Sequence, residues 1–131
     1  MLNLMKKVLV ALFMSVSFIG AVFGSEVVDV SPKQVAEMLE KKEAPQVIDV
    51  RTEREFAQGH IKGATLIDVT AKDFEEKVSK LDPKKSYIVH CRSGSRSTRA
   101  MKVFKSLKFQ KIYHMNKGMN AWTNAGLPSV K

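Results

Sequence analysis

Five short runs rich in branched and aromatic residues constrain this chain more than any other feature. They lie at 27–30 (VVDV), 46–50 (QVIDV), 65–69 (TLIDV), 86–90 (SYIVH) and 111–115 (KIYHM). Each has strand length, and 86–90 is apolar on both faces of the pleat, as a central parallel strand buried on both sides must be. The stretches between them carry helical signals. Ser31-Pro32 reads as an N-cap followed by proline at the first helical position, with Gln34 completing a capping box. Thr52 is a second cap, opening one or two turns that stop at Gly59. Phe74, Val78 and Leu81 share a helix face over 71–81, as do Ala100, Val103, Phe104 and Leu107 from Ser97 onward. A terminal helix over 118–126 is closed by Gly126 and Pro128. Strand alternating with helix predicts a three-layer α/β domain, with a mainly parallel sheet of about five strands flanked by helices.

The first residues stand apart. Lys6 and Lys7 precede an apolar run over 8–23 that only Ser15, Ser17 and Gly20 interrupt, and Gly24 follows. This is the layout of a secretory signal peptide over 1–24. The run is shorter than the roughly 20 apolar residues that usually span a bilayer, so an uncleaved membrane anchor is the alternative. The expectation is an exported, periplasmic domain over 25–131, which touches a membrane only through its leader. No repeat or linker divides that segment.

Charge is segregated along it. Residues 25–82 carry nine basic and thirteen acidic side chains; from Pro83 to Lys131 there are eleven lysines and arginines and no acid. Such a field draws small anions toward the basic half. Lys102, Lys105 and Lys108 are accounted for by solvation of one helix face. Nucleic-acid binding would suit the charge, but export and the lack of aromatic residues among these cations argue against it. One cysteine and three scattered histidines lack ligand spacing, so neither a metal nor another cofactor is expected.

The only cysteine, Cys91, lies in the basic half, within HCRSGSRS (90–97). It falls where the 86–90 strand ends and the next helix begins, and ligands bind at that carboxyl edge in open α/β sheets. A loop of small residues there can turn successive N–H groups inward as an anion-binding nest, and the helix that follows adds its own free N–H groups. Such settings lower cysteine pKa values to roughly 3.5–7.5. Gly94, Ser93 and Ser95 let the backbone come close, while Arg92, Arg96 and Arg99 add positive charge.

Three ordered segments resemble the rhodanese (sulfurtransferase) domains in their single-domain form: VIDVRTEREFAQGHIKGATLID (47–68), YIVHCRSGSRSTRA (87–100) and NKGMNAWTNAGLP (116–128). The resemblance covers essentially all of 26–130. It implies a rhodanese-like fold with Cys91 as a nucleophile that takes sulfur from thiosulfate or a similar small anion as a persulfide. The sulfur then passes to cyanide or another thiol, which in turn can belong to a protein. It also implies that the amides of Arg92, Ser93, Gly94, Ser95 and Arg96 cradle the sulfur, with Arg92 and Arg96 orienting the sulfonate. Asp49 and Arg51 are expected to brace the loop, His60 to be structural, and Trp122 to line core or pocket. His90 precedes Cys91 in the strand and should point to the opposite face. The sequence departs from the family's paired glycines at Lys117, which would narrow the pocket or add an anion contact.

Two other functions fit parts of this pattern. Cysteine-dependent phosphatases and arsenate reductases close a similar loop at Cys-x5-Arg, whereas the spacing here is Cys-x4-Arg, a ring suited to a smaller guest. A persulfide carrier acting between proteins would need the same thiol.

Overall fold

The capping signals are realised in a computed structural model, which describes residues 24–131. Ser31 Oγ accepts from the Gln34 amide, and Gln34 Oε1 accepts from the Ser31 amide. This reciprocal cap opens α1 (Pro32–Leu39) after β1 (Glu26–Asp29). β2 (Gln46–Asp49) leads to Thr52, which forms a second reciprocal cap with Glu55 and opens α2 (Glu53–Gln58). Then follow β3 (Thr65–Leu66), α3 (Phe74–Ser79), β4 (Ser86–His90), α4 (Ser95–Ser106), β5 (Lys111–His114) and α5 (Gly118–Asn124). The leader expected over 1–24 lies, save Gly24, outside the described residues. No helix among the described residues is long and apolar enough to cross a membrane.

The five strands form one sheet in the order β1-β5-β4-β2-β3, every pair parallel. The third strand is shorter than its sequence pattern predicts. Ile67 and Val69 still donate to the carbonyls of Asp49 and Val50, but Asp68 Oδ1 accepts from the amide and hydroxyl of Thr70 and turns the chain off the ladder. A two-residue edge strand also leaves little open backbone for edge-to-edge pairing. In α4 the helix starts two residues before Ser97, because Gly94 adopts a left-handed conformation (φ 113°) and lets the first turn begin at Ser95.

Alternation along the strands sends neighbouring side chains into two cores. Ile48, Val89 and Ile112 pack with Phe74, Val78, Ala100 and Phe104 beneath α3 and α4. Val47 and Ile88 pack with Val35, Met119 and Trp122 beneath α1 and α5. Cys91 belongs to the first of these cores. The parallel arrangement also brings the carboxyl ends of β2, β4 and β5 to one edge of the sheet, and with them Asp49, Cys91 and His114.

Phe104 is fully buried, and its ring meets Phe74 and Phe109 edge-on at centroid distances of 6.5 and 5.0 Å. We predict that Phe104→Ala lowers stability by about 3–5 kcal/mol. Urea unfolding should show a lower midpoint with an unchanged slope.

Candidate active site

Cys91 follows the last residue of β4, and its sulfur sits under the turn that leads to α4. The Gly94 amide donates to Cys91 Sγ at 3.1 Å, and the Ser97 hydroxyl lies 3.3 Å from it, placed to donate. Burial pushes the thiol pKa up. Hydrogen bonding from the Ser97 hydroxyl and the amides of Ser97, Gly94 and Ser93 outweighs this, so the net shift is downward. The side chain is only 1% exposed, yet the groups above it are donors and not hydrocarbon alone. Of the loop amides expected to cradle sulfur, that of Gly94 donates to the Cys91 sulfur and that of Ser93 also favours its thiolate; the amide and hydroxyl of Ser97 add to them.

Two glycines make this geometry possible. A Cβ on Gly94 would collide with the Asn116 carbonyl oxygen, and one on Gly118 (φ 66°) with the carbonyls of Arg92 and Cys91. The loops after β4 and β5 therefore touch backbone to backbone. Lys117 adopts an ordinary φ of −91° and is exposed. The first of the family's paired glycines is thus dispensable here, whereas the second is not.

Asp49 and Arg51 form a buried brace. Arg51 Nη2 lies 2.8 Å from Asp49 Oδ2 and donates to the Gly59 carbonyl at 2.8 Å, while Asp49 Oδ1 accepts from the Arg51 amide. His90 points to the face opposite Cys91, as alternation predicts. Its Nδ1 lies 2.9 Å from the Cys91 carbonyl and its Nε2 3.7 Å from Asp49 Oδ2. Burial lowers the His90 pKa, with Asp49 opposing, and a ring in that position has no line to the sulfur. His60 stacks on Phe56, and Trp122 donates to the Pro128 carbonyl from within the core. Both are structural.

Arg96 has a partner the sequence did not reveal. Its guanidinium grips Glu55 in a fork at 2.6 and 2.8 Å. The anion-orienting role expected of Arg96 is therefore in competition with this pair, and Arg92 is the more available cation. Arg92 lines a cleft of about 370 Å³ with Arg51, Glu55, Met119, Asn120 and Thr123. A larger hollow of about 710 Å³ opens among Ala44, Gln46, Ser86 and Tyr87, at the strand starts. It is at the wrong edge of the sheet for Cys91 and has no cysteine or histidine in its lining.

Three residues escaped the reading of the sequence. Ser97 opens the buried stripe 97, 100, 101 and 104 of α4, and a lone hydroxyl in such a stripe was a usable signal. Glu55 lies three residues after the Thr52 cap, and nothing local pointed to Arg96 as its partner. His114, whose Nε2 lies 2.6 Å from Ser97 Oγ, carried no local signal. Among the described residues, no three of His, Cys, Asp and Glu are grouped so as to hold a metal ion.

Known proteins share this fold and sequence pattern. The sequence profile of the rhodanese-like domain matches residues 31–125. Thiosulfate sulfurtransferase 18 of Arabidopsis thaliana is 30% identical over 127 residues, covering 88% of this chain and 92% of that protein. A rhodanese-related protein from Thermoplasma volcanium superposes with a TM-score of 0.69 at 27% identity, over 79% of this chain and 97% of that one. The polysulfide-sulfur transferase homodimer of Wolinella succinogenes does so with a TM-score of 0.65 at 31% identity, over 79% of this chain and 78% of its own.

The Glu55–Arg96 pair has a pH signature. Its carboxyl pKa is lowered from 4.5 to about 2, chiefly by the hydrogen bond from Arg96. A carboxyl with a lowered folded-state pKa contributes stability that is present above its unfolded value and lost as protons bind. The contribution should thus be complete above pH 4.5 and fade as the pH falls toward about 2. Urea midpoints measured across that window should fall less steeply for Glu55→Gln than for the parent chain.

Proposed function

This chain belongs to the rhodanese-like family of sulfurtransferases, and from that premise we propose that Cys91 carries sulfur from a small anionic donor, thiosulfate first, to cyanide or a thiol. The Cys91 thiolate attacks the outer sulfur of thiosulfate. The donor's S–S bond breaks, sulfite leaves with the electron pair, and Cys91 holds a persulfide with a terminal negative charge. Cyanide then attacks that terminal sulfur, thiocyanate departs, and the thiolate returns. Two displacements on one nucleophile give ping-pong kinetics. No proton enters or leaves the balance once the thiolate exists, and no cofactor is needed.

The observation that carries this reading is the convergence of the Gly94 amide and the Ser97 hydroxyl on one sulfur. These donors are fixed before reaction, so they stabilise charge on sulfur without reorienting. Arg92 at the cleft draws the anion in. The name of the Wolinella relative makes polysulfide a second candidate donor for the same step. A persulfide carrier between proteins is the alternative reading, and phosphate chemistry fits the short loop less well. Export to the periplasm, by way of residues 1–24, belongs to this proposal.

Incubation with thiosulfate should add one sulfur atom to the intact mass, cyanide should remove it as thiocyanate, and Cys91→Ser should abolish both. Hydrolysis of p-nitrophenyl phosphate without thiocyanate formation would overturn the reading; no adduct from thiosulfate would transfer it to the carrier. Arg92→Ala should raise KM for thiosulfate about tenfold, the scale of one lost charge-assisted hydrogen bond, with kcat nearly constant. Added salt should narrow that difference.

A further inference from the structure

His114 ends β5 on the same face of the sheet as Cys91, and it is 5% exposed. Its Nε2 lies 2.6 Å from Ser97 Oγ, and Ser97 Oγ lies 3.3 Å from Cys91 Sγ. On the far side of the ring, Nδ1 lies 3.5 Å from Asp29 Oδ1. Ser97 is fully buried. Its one proton faces three acceptors: the sulfur, the Gly94 carbonyl at 3.1 Å and the imidazole nitrogen. A hydroxyl so placed donates to one of them at a time, and which one it serves depends on where the neighbouring protons sit.

We propose that His114, acting through Ser97, takes up the proton that Cys91 releases when its thiolate forms. In the thiol state, S–H donates to Ser97 Oγ, Ser97 O–H donates to His114 Nε2, and Nδ1–H faces Asp29. Ionisation breaks the S–H bond and leaves its electron pair on sulfur. Ser97 gains that proton and passes its own to Nε2, so it ends as a hydroxyl donating to the thiolate. His114 ends as an imidazolium, Nε2–H toward Ser97 and Nδ1–H toward Asp29. One proton has moved, and both states leave each group with a partner.

The groups that act on His114 come from three elements. Burial acts most strongly and opposes the cation, Asp29 on β1 favours it, and His90 on β4 opposes it, so the ring alone is biased toward neutrality. The new thiolate at the end of β4, reached through Ser97 on α4, supplies the compensating charge. A buried base that charges only when its partner ionises keeps the pair neutral overall, which is the economical arrangement in a weakly polar interior. His114 is thus a positioning residue for the proton, while Ser97 touches the reacting atom.

The inference rests on Cys91 being the nucleophile proposed above, but its readout is ionisation of the thiol, with no sulfur donor present. Cys91 is the only cysteine, so the rate of alkylation of the full chain by iodoacetamide, followed against pH, reports that ionisation directly. Ser97→Ala and His114→Gln should each shift the profile upward by about one pH unit, slowing alkylation tenfold on its acid limb. The double variant should shift it no further than the larger single change, since both interrupt one path. Asp29→Asn should shift it less, in the same direction. A His114→Gln profile identical to the parent's overturns the proposal and leaves Ser97 as a simple donor. Should that variant fail to fold, nitrogen NMR of His114 in the parent chain decides. Capping Cys91 with a methylthio group should lower the imidazole pKa, and an indifferent ring overturns the coupling. Normal coupling with no persulfide from thiosulfate would count against the transfer reaction alone.

Discussion

The contact between the loops after β4 and β5 is the constraint on which the site depends. The carbonyls of Cys91 and Arg92 accept from the amides of Met119 and Asn120 at 2.9 and 3.0 Å, at the start of α5. Once the Arg92 carbonyl is turned toward α5, the Ser93 amide of the same peptide unit faces the other way, and it favours the thiolate. The contact is tight enough to exclude a side chain from Gly94 and Gly118, which is the physical reason for glycine at both. A nest of N–H groups is unstable as a free loop because its dipoles point at one another. Here the second loop holds it open through the hydrogen bonds from Met119 and Asn120.

A second path reaches the same loop from β2. Asp49 holds Arg51, Arg51 holds the Gly59 carbonyl at the end of α2, and α2 carries Glu55 to Arg96 at the start of α4. Breaking a buried pair by removing one partner costs about 3–5 kcal/mol, so the brace is a fixed point and not an adjustable one. It also alters the electrostatics read from composition. The basic half of the sequence meets the acidic half across the cleft, and Glu55 offsets Arg96 directly. Attraction for an incoming anion then comes from Arg92 and the backbone donors more than from the summed charge.

Elements and faces were legible because their causes are local. Both capping boxes lie within four residues of sequence, and the alternation of 86–90 alone placed His90 opposite Cys91. The partners missed at the site are long-range. Arg96 and Glu55 are 41 positions apart, and Ser97 and His114 are 17 apart. The face of β5 that His114 occupies matters only because β5 lies beside β4, and no periodicity encodes that order. Lys117, where the sequence departs from the family pattern, sits at an exposed position with unstrained backbone.

The depth of the thiol bears on which transfer it performs. At 1% exposure, Cys91 cannot meet the sulfur of another folded protein unless the 91–96 turn moves away. That movement would remove the amide and hydroxyl that favour the thiolate. A small anion brings one sulfur atom ahead of its charge, and Arg92, exposed at the neighbouring cleft, is placed to attract it. The same geometry limits the guest. A sulfane sulfur presents a single atom ahead of its charged group, whereas a phosphoryl group must fit three oxygens around the centre under attack. Donor placement and loop length therefore favour a single sulfur atom over a phosphate ester, in keeping with the family's sulfur transfer.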